Sequence, residues 1–469
     1  MNNNISHLML AGVLASTMSI TAIASNNDIY GPYPITLKGY SGDKTNSVSY
    51  TGQIARHVLH DSLKKLSGTK ASTNIKQLTL DKMMPYFKGS KNDLAILAPV
   101  SKGDFKIKQT SLNEISSGKN LSGKSYKGVI NGWGGLTGAE VLEHMVNKAA
   151  EHGSAFDPNT GYNYPQLISK FAMGAVFYNQ AVDNYLDEKL GADNKPNNKP
   201  YKDGAYYTGK EHVWDEAFGY WGAAAHSLEL TAEQNYNITK MKDMAAADHN
   251  GDGVVDLKSE FNFAHAYYAA SYDKGGKTDY FKTVTQAFVD GRKIISSANG
   301  EALTPAQRSQ LYVLRDIIGQ NWEKVIAESV FKYAGSVYKD IDKLQTIIEA
   351  NGDATKAFAT YGKHWGELKG FALALQCGKN NLGETAVKLN RMMGFGPVLL
   401  NSSQVTGVDS SGNFIKDESS GWDEYKLHML KIQKLMVDVF AVKAKANDQL
   451  ANISDLAAKL GGSNSAEND

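Results

Sequence analysis

His212, Asp215 and Glu216 stand within about one helical turn of each other in "GKEHVWDEAFGYWG", and His364 and Glu367 repeat the pairing in "GKHWGELKGF". Residues three and four apart on a helix share a sector, so each group can point one way. Neutral imidazole beside carboxylate is a donor set for a transition metal, and the expected ion is iron or zinc. If the two faces meet, His212, Asp215, Glu216, His364 and Glu367 converge on one ion, with His265 of "FNFAHAYYAA" as a further donor. Such an ion, with Glu216 or Glu367 as general base, would make a metal-dependent hydrolase. The alternative is that the same residues form helical ion pairs and buried hydrogen bonds and do no chemistry.

A second ion site is written in "DHNGDGVVDLKSE". Asp248, Asn250 and Asp252 occupy positions 1, 3 and 5 of a calcium loop, and Gly253 follows for the sharp turn. Val254 offers a carbonyl at position 7 and Asp256 falls at position 9; Ser259 stands at position 12, with the expected Glu one residue late as Glu260. The sequences on either side read as helices, so the expectation is an EF-hand-like insertion holding structural calcium, with a Kd of roughly 10⁻⁴ to 10⁻³ M.

Other short matches carry less. "GKNLSGKS" fits the phosphate-loop pattern, but no buried strand precedes it and the glycine-rich stretch after it cannot continue as a helix. There is no H-E-x-x-H, H-x-x-E-H or G-x-S-x-G in the chain. Cys377 is the only cysteine; it sits in an apolar run and reads as an inert buried thiol, and no intramolecular disulfide can form.

The residues that must position these groups lie in long helical patterns. From Leu136 onward, apolar residues recur every three or four positions between short polar turns, and strand-like alternation is scarce. Upstream, "GQIARHVLHDSLKKLSG" reads as one amphipathic helix, preceded by an extended Pro- and Gly-containing stretch and followed by a Lys-, Ser- and Gly-rich connector. The fold class expected is all-α.

The two His/Glu stretches also align as copies. Trp214, Glu216, Gly219 and Tyr220 correspond to Trp365, Glu367, Gly370 and Phe371 at a constant offset of 151 residues. The preceding helices correspond at an offset of 154, Val176-Phe177 with Val330-Phe331 and Lys189-Leu190 with Lys343-Leu344. A repeat this long predicts two related bundles packed together, not a solenoid. The division expected is a leader over 1–24, an extended segment and connector over 25–135, bundles over 136–300 and 301–460, and a tail over 461–469.

"GKHWGE" fits the G-x-H-x-x-E signature and thereby resembles the imelysin-like proteins, which implies an exported helical protein concerned with iron uptake. "HVWDEAFGYWG", with "SVSYTGQIAR", "FVDGRKIIS" and "WEKVIAESVFKY", resembles an uncharacterised family of secreted bacterial proteins sharing a His-x-Trp-Asp-Glu-Ala-Phe-Gly core. The expectation is a non-catalytic exported protein binding calcium and handling iron.

Composition sets the limits. Fifty basic residues against forty-nine acidic leave a net charge of +1, which gives no global field for nucleic acid or anionic lipid. "LMLAGVLASTMSITAIAS" reads as a secretory leader ending in small residues, which places the protein in the periplasm or outside the cell. Beyond it, no apolar run reaches about 18 residues, so no membrane partner is expected.

Overall fold

The computed structural model describes residues 28–69, 76–380, 382–419 and 421–465. The leader at 1–24 and the end of the expected tail lie outside the described residues. Among these, none of the helices is long and apolar enough to cross a membrane. The structure is mostly helical, as the periodicity predicts.

The chain opens with an extended segment, residues 28–50, laid over the body. Tyr30 stacks on Phe218 at 3.6 Å between ring centroids, and its backbone N–H donates to the Ala225 carbonyl. Helix α1 (Thr51–Ser67) follows and buries most of its length. Helix α2 (Lys76–Lys88) leads into an irregular stretch and then α3 (Gly138–His152), which starts in a reciprocal Thr137/Glu140 cap and ends at Gly153 with φ 69°. A two-residue ribbon, β1 (Phe156–Asp157) with β2 (Tyr162–Asn163), turns the chain into α4 (Tyr164–Ala172).

α4 continues as a π-helical stretch through Met173–Tyr178 and Gln180–Lys189. Its Ala175 carbonyl accepts the Tyr126 N–H at 2.7 Å. Gly174 lies so close to α11 (Thr355–Ala374) that an added Cβ would sit 2.3 Å from the Ala374 Cβ. A carbonyl engaged from outside and a close helix contact are local conditions under which the wider turn is tolerated.

α5 (Gly209–Trp221) carries the first His/Glu stretch. Thr208 and Glu211 cap its start reciprocally, and Gly222 (φ 80°) stops it. The helical pattern in the sequence runs on to Leu230, but this left-handed glycine ends the helix about two and a half turns earlier. Short helices α6 (Ala232–Thr239) and α7 (Met244–Ala247) precede the acidic loop, then α8 (Ala264–Asp273) and α9 (Tyr280–Ser297).

α10 (Pro305–Glu349) is a single helix of 45 residues, capped by Thr304 and Gln307 with Pro305 in the first turn. At 1.5 Å per residue it is about 70 Å long. It is the spine: α9, α11 and α13 (Trp422–Phe440) all pack on it. α12 (Glu384–Met393) and a hairpin of β3 (Ser403–Val408) and β4 (Phe414–Glu418) lie between α11 and α13, and α14 (Ile453–Leu460) closes the described chain. The sequence pattern does not foretell that hairpin, because most of β4 is exposed and lacks apolar alternation.

One hydrophobic core runs from Tyr30 to Ala457. Trp214, Trp221, Trp322 and Trp365 are fully buried in it, with Trp221 and Trp322 in edge contact at 4.8 Å.

Candidate functional site

Asp215 does not join His212. Its carboxylate accepts from Arg292 Nε at 2.8 Å, from the Tyr30 hydroxyl at 2.8 Å and from the Ser49 backbone N–H at 3.0 Å. Glu211 shares the same guanidinium at 3.2 Å and accepts from Thr36. All three charged side chains are fully buried. Burial outweighs the attraction of Arg292 and pushes the Asp215 carboxyl up. This cluster fastens the extended segment to α5 and α9, and it turns the Asp215 carboxylate toward Arg292 and Tyr30 instead of toward His212.

His212 and Glu216 do share a face. His212 Nε2 lies 3.4 Å from Glu216 Oε2, and the other Glu216 oxygen accepts from Gln53 of α1 at 2.7 Å. The imidazole is stacked on Tyr207 at 4.4 Å and edged by Tyr201 at 4.2 Å. Burial lowers its pKa against the pull of Glu216. His212 Nδ1 and Glu216 Oε2 are buried without hydrogen bonds. Lys119 and Lys124, from the rejected phosphate-loop match, lie within electrostatic reach of Glu216 and are lowered mainly by burial.

The second His/Glu stretch opens elsewhere. His364 and Glu367 line a cleft of about 620 Å³ walled by α1, α4, α8, α10 and α11. His364 Nδ1 is 2.6 Å from Asp340 of α10. Glu367 is only 7% exposed and makes no hydrogen bond or ion pair with any described residue. Around it stand Lys64, Lys170, Lys240, Lys332, Lys339 and Lys363, with Tyr267, Tyr268 and Tyr333.

Lys170 is the unusual member. It is 3% exposed, its ammonium lies 5.3 Å from the Tyr268 ring centroid and 5.9 Å from that of Phe371, and it too has no hydrogen-bond acceptor among the described residues. Burial, and then the nearby Lys64, holds its pKa well below the usual lysine range, with Glu367 opposing. Lys332 is lowered by burial in the same way, again against Glu367.

The two His/Glu faces therefore look onto different surroundings. α5 packs on α1, α9 and the π-helical stretch, whereas α11 packs on α4 and α10. Among the described residues, no three His, Cys, Asp or Glu side chains come together as a group able to hold a metal. His212, Asp215, Glu216, His364 and Glu367, expected around one ion, are not gathered into one such group. His265 is fully buried between Trp322 and Phe371, with neither ring nitrogen hydrogen-bonded.

The two His/Glu stretches do share their packing logic. Gly219 admits α1, since a Cβ there would sit 2.7 Å from the Tyr50 Cβ; Gly370 admits α4, where it would sit 2.6 Å from the Lys170 Cβ. Trp214 Nε1 donates to the Phe288 carbonyl and Trp365 Nε1 to the Tyr425 hydroxyl. The upstream lysines differ. Lys210 donates to the carbonyls of Leu190 at 2.5 Å and Ala192 at 2.9 Å, ending the π-helical stretch, while Lys363 is exposed on the cleft.

In the acidic loop, Asp248 accepts the N–H groups of Asp252 and Gly253, and Asn250 that of Asp252. Asp252 accepts the Val254 N–H, and Asp256 accepts from Gln109 and the Lys258 N–H. Glu260 uses one oxygen on the Asn250 N–H at 3.3 Å and the other on the Asp256 N–H at 2.7 Å. Val255 pairs with Ile107 as a parallel bridge, and Lys108 Nζ lies 3.4 Å from Asp252 and 3.9 Å from Asp256. The flanking helices expected of an EF-hand are not both there: residues 257–263 are non-helical, and the helix before the loop is the four-residue α7.

The cleft lysines escaped the sequence reading because they come from four separate helices and one turn. Lys170 left a trace, as a lone cation inside the apolar run "LISKFAMGAVF". The chain belongs to the family described as a domain of unknown function (DUF4856), whose model matches residues 145–381. That span holds most of the cleft, although Lys64 and Asn447 on its rim lie outside. Neither a curated protein nor a solved structure matches the chain.

Proposed function

We propose that this protein works by binding, not by catalysis, and that the cleft around Lys170 and Glu367 is its ligand site. One observation carries this: a lysine and a glutamate, Lys170 and Glu367, each more than nine-tenths buried as residues, line one cleft with no hydrogen-bond partner among the described residues. Leaving buried ionic groups unpaired is costly. A cleft of this size falls in the range of small-molecule sites, about 300–1,000 Å³. A native-mass-spectrometry screen of small molecules should give hits that are lost in both Lys170→Met and Glu367→Gln. Hits indifferent to both substitutions would remove the cleft from the account.

The leader-like opening supports export, as a periplasmic or extracellular protein. The spacing of Asp248, Asn250, Asp252, Val254, Asp256 and Glu260 supports a structural calcium ion in the acidic loop. In this structure the Asp248, Asp252 and Glu260 carboxylates accept backbone N–H groups instead of gathering around one point, so binding would draw them together beside the Ile107–Val255 bridge. Calcium added to chelator-treated protein should raise Tm by several degrees, and Asp248→Ala with Asp252→Ala should abolish the rise. An unchanged Tm in the parent chain would end the calcium reading.

Iron or zinc handling, as in the imelysin-like resemblance, rests on His212 and Glu216, whose buried Nδ1 and Oε2 have no hydrogen bond. Elemental analysis of untagged protein tests it: stoichiometric metal lost in His212→Ala supports the site, and its absence refutes it.

A further inference from the structure

Resting on the binding reading above, we infer that the occupant of the cleft is a small polyanion, bearing phosphate or carboxylate groups and at least one hydrogen-bond donor. The balance of side chains is one-sided: six lysines line the cleft against the carboxyl groups of Asp61, Asp340 and Glu367. Two of those carboxylates are already engaged, Asp61 with His60 at 3.0 Å and Asp340 with His364 at 2.6 Å. Asp61 and Glu367 both lie within electrostatic reach of Lys170, but three carboxylates stand against six lysines, so basic side chains outnumber acidic ones in the cleft.

The lysines form two tiers. Lys170 lies at depth, and Lys64 and Lys332 are half-buried; Lys240, Lys339 and Lys363 are exposed at the mouth. Exposed lysines are ordinary surface groups, but a buried ammonium held against the rings of Tyr268 and Phe371 has lost most of its water. An anion arriving there replaces the missing solvation and gains from the lower local dielectric. The mouth lysines would draw it in, an attraction that weakens with salt. A bare metal cation meets the opposite field and is disfavoured.

Glu367 adds selectivity. As a carboxylate it only accepts hydrogen bonds, so it repels a purely anionic surface and favours a ligand presenting a hydroxyl or ammonium donor beside its anionic groups. Scale limits the ligand as well. A chain with net charge +1 offers no basic track to a long polyanion, whereas a cleft of about 620 Å³ suits a compact one.

The test is isothermal titration calorimetry of the full chain with citrate, pyrophosphate and glucose 6-phosphate, with glucose as the neutral control. At least one anion should bind while glucose does not, with affinity falling tenfold or more in Lys170→Met and several-fold in Lys363→Ser. The Lys363 side chain is exposed, so that second variant keeps the test meaningful if Lys170→Met folds poorly. A response to citrate alone assigns carboxylate chemistry, and a response to the phosphates alone assigns phosphate. No anion binding by the parent chain, or binding indifferent to both lysine substitutions, overturns the inference. A neutral or cationic ligand lost in Glu367→Gln yet unaffected by Lys363→Ser would overturn the anionic class and leave the cleft as the ligand site. A screen with no cleft-dependent ligand would remove both.

Discussion

His57 shows how one buried ring can set the acid limit of the molecule. It is fully buried, with Nε2 at 3.0 Å from the Gly219 carbonyl and its ring stacked on Phe263 at 5.1 Å. Burial, reinforced by His60, lowers its pKa to about 3. In the unfolded chain an imidazole titrates near 6.5. Between those values the unfolded chain binds a proton that the native state refuses. This contribution is therefore complete above pH 6.5 or so and is lost as pH falls toward 3, at up to about 1.4 kcal/mol per pH unit. Buried His265 acts in the same direction, again chiefly through burial. Urea midpoints measured from pH 7 to pH 4 should fall steeply, and His57→Gln, which can still donate to the Gly219 carbonyl, should flatten part of that fall. An identical slope in the variant would contradict the assignment.

At the scale of elements, the close helix contacts at glycine matter most. Gly370 brings α11 onto α4 beside Lys170, and a methyl group there would also meet the Phe171 backbone nitrogen at 3.1 Å. Because that obstacle includes main chain, Gly370→Ala cannot be absorbed by a rotamer change. The expected cost is about 1–3 kcal/mol of overpacking, with a lowered unfolding midpoint and weaker ligand binding in the adjacent cleft. Gly319 on α10 has no atom within 4 Å of its added Cβ. Gly319→Ala should instead hold or raise the midpoint, by up to about 1 kcal/mol, in the same denaturation series. Equal effects at the two positions would refute the packing account.

For the molecule as a whole, the extended N-terminal segment belongs to the core. Tyr30, Thr36, Ser47 and Ser49 all bond to the Arg292–Glu211–Asp215 cluster. A chain beginning at Leu136 would keep the span matched by the family model but lose these partners, α1 and the floor of both His/Glu faces. Breaking such a buried ionic cluster costs about 3–5 kcal/mol. The truncated chain should therefore lose near-ultraviolet circular dichroism and bind a hydrophobic dye, even if it keeps helical far-ultraviolet signal. A native-like near-ultraviolet spectrum would show that the body folds without the segment.

The sequence alone determined most of the helices, because apolar spacing and caps such as Thr304-Pro305 act within a few residues, whereas the stop at Gly222 emerged only in the structure. It also located Cys377 as a buried thiol and the His212–Glu216 contact, both matters of local spacing. Which way Asp215 would turn was not local: it depended on Arg292, far along the chain, and on a tyrosine from the extended segment. The cleft was still less legible, since its charge is summed over α1, α4, α10, α11 and the turn after α6. Periodicity records which face of a helix is buried; only tertiary packing decides which charges then meet across the space between helices.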